Sequence, residues 1–253
     1  MPDSEKRFKR LRLYNLVMGL FHLVQGVAIV ALSNDFALPI TASFMQGPPG
    51  TPPGAPETLF ELPLGLGVAA FVLLSAIAHF TLVMPGVFPW YVANLKRNRN
   101  YGRWIEYSLS SSLMVVLIAL LPGIFDASAL IAIFGVNVSM ILFGLLFEHY
   151  EEPGSPNWMA FLFGCLAGIV PWLAIGLYMW SPGSAAEPPG FVYAIFASMF
   201  VFFNSFAVNQ VLQYKRIGPW RDYLFGEAAY ILLSLSAKSL LAWLVFANTL
   251  VPT

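Results

Sequence analysis

The chain has 253 residues, 58% of them hydrophobic and 10% charged, with 13 basic and 13 acidic side chains and no formal net charge; its mean hydropathy is +0.72. That apolar excess excludes an ordinary soluble domain and places the chain among integral membrane proteins. Nothing in the charge pattern points to nucleic acid, and a single cysteine, Cys165, excludes an internal disulfide and a cysteine-based metal cluster.

Apolar runs near the spanning length of about 20 residues recur at 13–32, 62–84, 103–121, 127–147, 157–180, 190–213 and 223–249. Their apolar content is continuous rather than alternating, which predicts helices and not the strands of a membrane barrel. The expected fold is all-α, a single seven-helix transmembrane domain over 1–253. The first run follows a basic flank, as the core of a signal peptide does. It is too long for one, carries His22 and Gln25, and opens the series, so it is read as retained. The connection 33–61 contains GPPGTPPGAP, whose Pro and Gly density excludes helix. Just before it, FALPITASFM has the β-branched and aromatic content of a short β-hairpin.

Charge sets the expected orientation. Lys6, Arg7, Lys9, Arg10 and Arg12 precede the first span; Lys96, Arg97, Arg99 and Arg103 lie between the second and third; Lys215, Arg216 and Arg221 lie between the sixth and seventh. The opposite loops, 33–61, 122–126 and 181–189, carry no basic residue. The positive-inside rule therefore predicts a cytoplasmic N-terminus, with the long 33–61 loop extracellular.

Few ionisable groups fall at membrane depth. In GRWIEYSLSSS of the third span, Arg103, Glu106 and Ser110 share one helix face. Glu106 either pairs with Arg103 at the interface or partners a buried cation elsewhere. His22 and His79, each taken alone, are explained by interhelical hydrogen bonding. At about 1.5 Å per residue, His22, Ser75, His79, Glu106 and Ser110 all count into the cytoplasmic half. Glu148 and Glu227 read as solvated helix-end carboxylates pairing with loop arginines. Asn137, Asn204, Asn209, Gln210 and Gln213 read as amides satisfied by neighbouring helices, and Cys165 as a small packing residue.

The thirteenth basic residue is the exception. Lys238 sits within YLFGEAAYILLSLSAKSLLAWLVFANTLV, where an ammonium costs about 3 kcal/mol on insertion scales. Such a group is paired, neutralised or used chemically. Helix side chains lean toward the helix N-terminus, so the lysine stem points back toward the polar cluster, with Ser234 four residues earlier on the same face.

A lysine in the seventh helix and a carboxylate in the third resemble the microbial retinal proteins. The specific likeness is to heliorhodopsins, carried by ALSNDFALPIT, EYSLSSS, ALIAIFGVNVSMILFG, FGCLAGIVPW, PGFVY, FFNSFA and SLSAKS across the whole chain. The family's inverted topology agrees with the orientation derived from charge. The resemblance implies a rhodopsin-like bundle with all-trans retinal on a protonated Schiff base at Lys238 and Glu106 as counterion. It implies a polar, proton-accepting network of His22, His79, Ser75, Ser110 and Ser234. The expected retinal pocket comprises Asn137, Met140, Ile141, Gly144, Trp172, Phe203 and Phe206.

Ordinary pumping rhodopsins carry a second acid one turn before the lysine, where Ser234 stands here. Proton pumps of that group also hold a donor carboxylate three turns beyond the counterion, where this chain has Leu117. The expectation is a non-enzymatic, multi-pass photoreceptor of the cell membrane, with no metal site. Its photoisomerisation drives internal proton transfer without net ion pumping and signals to a cytoplasmic partner. Family likeness adds a homodimer in the lipid bilayer. The competing expectations are a light-gated ion channel or pump, which needs a polar route the outer half lacks, and a non-retinal transporter or membrane enzyme using Lys238.

Overall fold

A computed structural model describes residues 2–180 and 187–251, with side chains from Glu5 onward. Seven of its helices are long and apolar enough to cross a membrane. They are α1 (Pro2–Leu32), α2 (Leu64–Val83), α4 (Tyr101–Leu120), α5 (Ala127–Tyr150), α6 (Met159–Met179), α7 (Gly190–Tyr214) and α8 (Tyr223–Val245). The eighth, α3 (Phe88–Leu95), lies in the connection between α2 and α4 and is not apparent as a separate element in the sequence. Most of the 181–189 connection falls outside the described residues.

Local chemistry explains several helix starts. Asn100, Asp126 and Asp222 cap α4, α5 and α8, their side chains accepting from the backbone N–H of Arg103, Ala129 and Leu224. Each satisfies one of the orphan donors of a first helical turn. At Asp126, which lies outside the spans, hydrogen bonds from Ser128 and the Ala129 N–H hold the carboxyl below its ordinary range. Outward faces remain apolar: Leu162, Phe163, Leu166, Leu173 and Leu177 of α6 are all exposed. Such a stripe is far larger than water tolerates and suits lipid.

The loop after α1 forms a hairpin larger than FALPITASFM alone. That run supplies only β1 (Ala37–Ala42), which pairs antiparallel with β2 (Glu57–Pro63). The Pro/Gly-rich stretch turns the chain between them. Ile40 inserts into the main apolar core, and the Thr41 N–H donates to the Phe125 carbonyl at 2.8 Å. The Asn34 N–H donates to the Leu250 carbonyl at 2.9 Å, so the hairpin is tied to the α4–α5 turn and to the end of the chain.

At the opposite end the basic connections meet. Arg7 pairs with Asp222, and Lys96 lies over the Phe8 ring. The bundle thus has a basic end and a hairpin end. Where helices approach closely small residues sit between them: a Cβ on Gly26 of α1 would come within 2.5 Å of Leu73 on α2.

Candidate functional site: a buried lysine at the head of an aromatic cavity

Lys238 lies mid-way along α8 with only 3% of its surface exposed. Its Nζ donates to Glu106 Oε1 at 2.7 Å, Ser75 Oγ at 2.6 Å and Ser234 Oγ at 3.1 Å. The Ser75 hydroxyl in turn donates to Glu106 Oε1 at 2.6 Å. An ammonium has three donors, and all three find oxygen here. The helices supplying them are α2, α4 and α8, so one cation ties three spans together. A buried charge with this complement is stable where an unpaired one is not.

The alternative pairing of Glu106 with Arg103 does not occur. Arg103, one turn earlier on α4, faces Glu148 and Glu227 instead. Those two carboxylates are 3% and 1% exposed. The expectation of solvated helix-end acids is therefore corrected, because the bundle closes over them and supplies a guanidinium as partner.

The two histidines sit beside the lysine cluster without bonding to it. His22 and His79 stack at 5.7 Å between ring centroids, with 16° between their planes. His79 Nδ1 bonds Asn15 Oδ1 at 2.8 Å, and the fully buried His22 ring has no protein hydrogen-bond partner. Ser110 is fully buried one turn from Glu106 on α4. Asn15 lies two turns before His22 on the same face of α1, but its bond to His79 shows only once α1 packs on α2.

A cavity opens from Lys238 and Ala237 and runs between α4, α7 and α8 to the α5–α6 interface. Of the seven residues expected to form a pocket, Met140, Ile141, Gly144, Trp172, Phe203 and Phe206 line it. Asn137 does not. It stands behind the wall, donating to Ser111 at 2.9 Å and Ser112 at 3.0 Å. The lining residues that sequence reasoning missed include Trp104, Tyr107, Tyr230 and Gly168. Trp104 and Tyr107 flank Glu106 on α4, and Tyr230 lies two turns before Lys238. That helical register was the available signal. Cys165 is exposed and borders the cavity, so it is not the packed residue expected.

The walls are largely aromatic. Trp172 meets Phe196, Phe200 and Phe203 edge-on at 5.4–5.5 Å, and Tyr107 meets Phe206 edge-on at 5.4 Å. Gly144 makes room: a Cβ there would come within 2.5 Å of the Trp104 ring. An apolar cavity with one primary amine at its end, and a carboxylate fixed on that amine, fits a conjugated aldehyde that condenses with the lysine.

A family model for heliorhodopsin matches residues 11–250. The chain belongs to the heliorhodopsin family. That family is one of microbial-type retinal photoreceptors, not generally catalytic, so a retinal chromophore is implied.

No curated protein matches the sequence. Solved structures share the bundle. Cyanorhodopsin from the cyanobacterium Tolypothrix sp. is 15% identical over 94% of this chain and 94% of that one, with a TM-score of 0.62. The transmembrane domain and linker region of Salpingoeca rosetta rhodopsin phosphodiesterase is 13% identical over 98% of this chain and 74% of that one, with a TM-score of 0.66. The light-driven proton pump LR (Mac) from Leptosphaeria maculans is 16% identical over 94% and 95%, with a TM-score of 0.62. At these identities the likeness concerns the fold alone, and heliorhodopsin family membership rests on the sequence match.

Proposed function

We propose that this protein is a light sensor of the cell membrane that moves a proton internally and signals, rather than pumping ions. Retinal in its all-trans form, joined to Lys238 as a protonated Schiff base, would supply the visible absorption and the light-driven isomerisation. Glu106 holds the positive charge at Lys238 Nζ and, with Ser75, fixes the direction in which that nitrogen's proton points. Ser234 occupies the remaining position around the nitrogen.

The single observation that carries this reading is the distribution of ionisable groups around Lys238. Among the described residues, no Asp, Glu, Lys, Arg or His side chain lies in the spans on the hairpin side of the Lys238, Glu106 and His22 level. Glu106 lies at the level of Lys238 itself, and His79, Arg103, Glu148 and Glu227 lie toward the basic end. A proton leaving Lys238 Nζ has acceptors on one side only, whereas vectorial transfer needs titratable groups on both.

The basic connections support a cytoplasmic N-terminus, which makes the acceptor side the cytoplasmic side. The output would then reach a cytoplasmic partner, and the apolar outward faces suit a homodimer in lipid. The test is flash photolysis paired with voltage clamp on the retinal-loaded protein. A photocycle with a transient deprotonation signal and no sustained photocurrent supports the reading; a sustained current under continuous light overturns it in favour of a channel or pump.

A further inference from the structure

The basic end of the bundle contains a second buried charge cluster, whose charges do not balance. Arg103 Nη2 pairs with Glu148 Oε2 and lies 3.2 Å from Glu227 Oε1. Both carboxylates therefore converge on one nitrogen of one guanidinium, while Arg103 Nε and Nη1 remain without hydrogen-bond partners. Asn100 bridges the same two acids, its backbone N–H donating to Glu148 Oε1 and its side-chain amide donating to Glu227 Oε2 at 2.6 Å.

The groups around the acids are aromatic rather than cationic. From α4 the cluster is faced by Arg103 and the Trp104 indole, and from α8 by Tyr223 and Tyr230, the latter ring only 3.7 Å from Arg103 Cζ. Tyr214 of α7, Tyr91 of α3 and Tyr107 of α4 also face the cluster. Burial pushes the Tyr91 phenol above its ordinary value, so it stays neutral at any working pH. Among the described residues, the only basic group ion-paired with either acid is Arg103. Two ionised carboxylates against one guanidinium would leave a net negative charge in low dielectric, which a single shared proton would remove.

We propose that Glu148, Glu227 and Arg103 form a second proton-binding site, separate from the Lys238–Glu106 pair and holding one shared proton in the resting protein. Its position connects it to that pair. On α8, Glu227, Tyr230, Ser234 and Lys238 follow one another at three- and four-residue spacing and so share one face. On α4, Arg103 and Glu106 do the same.

The site is tested by infrared spectroscopy of the purified, retinal-loaded protein in the dark, in water and in heavy water. A carboxylic-acid C=O band that moves down in heavy water is expected. Glu148→Gln and Glu227→Gln should each abolish it, since the remaining acid then pairs with Arg103 alone. Glu106→Gln should keep it. Retention of the visible absorption band serves as the folding check for each variant. Absence of the band in the unaltered protein, or its survival in either single variant, overturns the proposal. Because the spectra are recorded in the dark, the outcome does not depend on whether light moves a proton away from Lys238.

Discussion

Lys238 Nζ and Glu106 Oε1 lie 2.7 Å apart with side-chain exposures of 4% and 9%, although the two residues are 132 positions apart in the chain. In the proposed function this pair holds the chromophore's charge. Glu106→Gln keeps the shape and removes the anion. Stabilising negative charge then leaves the nitrogen, which lowers the energy of the charge-delocalised excited state relative to the ground state. The expected outcome is a red-shifted absorption maximum in the reconstituted variant. An unchanged spectrum would show that another group balances Lys238.

Arg103 should matter to stability more than to colour. Arg103→Gln leaves Glu148 and Glu227 buried without their guanidinium, and breaking a buried pair typically costs about 3–5 kcal/mol. A lowered midpoint in a thermal melt, followed by loss of the visible band, is the expected result. A melt indistinguishable from that of the parent protein would mean that water or another cation already compensates the acids.

Gly144 tests the cavity wall. An added methyl at Gly144→Ala would lie 2.5 Å from one carbon of the Trp104 ring and 2.6 Å from the next. The indole is itself held by Arg103, whose Cζ lies 4.6 Å from the ring centroid, so it has little room to retreat. Reconstitution with retinal should be slower and less complete in the variant, read as visible absorbance against total protein. A normal rate and yield would remove Trp104 and Gly144 from the wall.

The cap of α5 offers a control remote from the site. Asp126→Ala removes the acceptor for the Ala129 N–H and should cost about 1 kcal/mol while leaving the absorption spectrum unchanged. In the parent protein the folded-state carboxyl is held low, so its stabilising effect is present above the unfolded value near 3.8 and is lost as pH falls through the folded value. A spectral shift in this variant would mean that the hairpin end communicates with the chromophore.

Much of this is legible in the residues themselves, for reasons of period and depth. Seven apolar runs of spanning length announce seven helices, and a lysine among them announces a partner. Glu106 and Ser75 can be placed at similar depth by counting residues, because a straight helix advances evenly along its axis. What counting does not give is rotation about that axis. Asn137 has the right depth for the pocket but turns toward Ser111 and Ser112. Glu148 and Glu227 count out near the membrane edge, where acids are ordinarily solvated; only the convergence of α4, α5 and α8 with Asn100 covers them. The α3 helix escapes sequence reading because its eight residues are too few to show a period, and the hairpin's second strand because ETLFELP runs directly into α2.

The measurement that bears most directly on the central claim is the visible spectrum of the purified protein and of Lys238→Ala after incubation with all-trans retinal, each then treated with hydroxylamine under illumination. The parent protein should develop a visible band that hydroxylamine bleaches, and Lys238→Ala should remain colourless. A parent protein that stays colourless, or a variant that keeps the band, would contradict the assignment of Lys238 as the chromophore's attachment point.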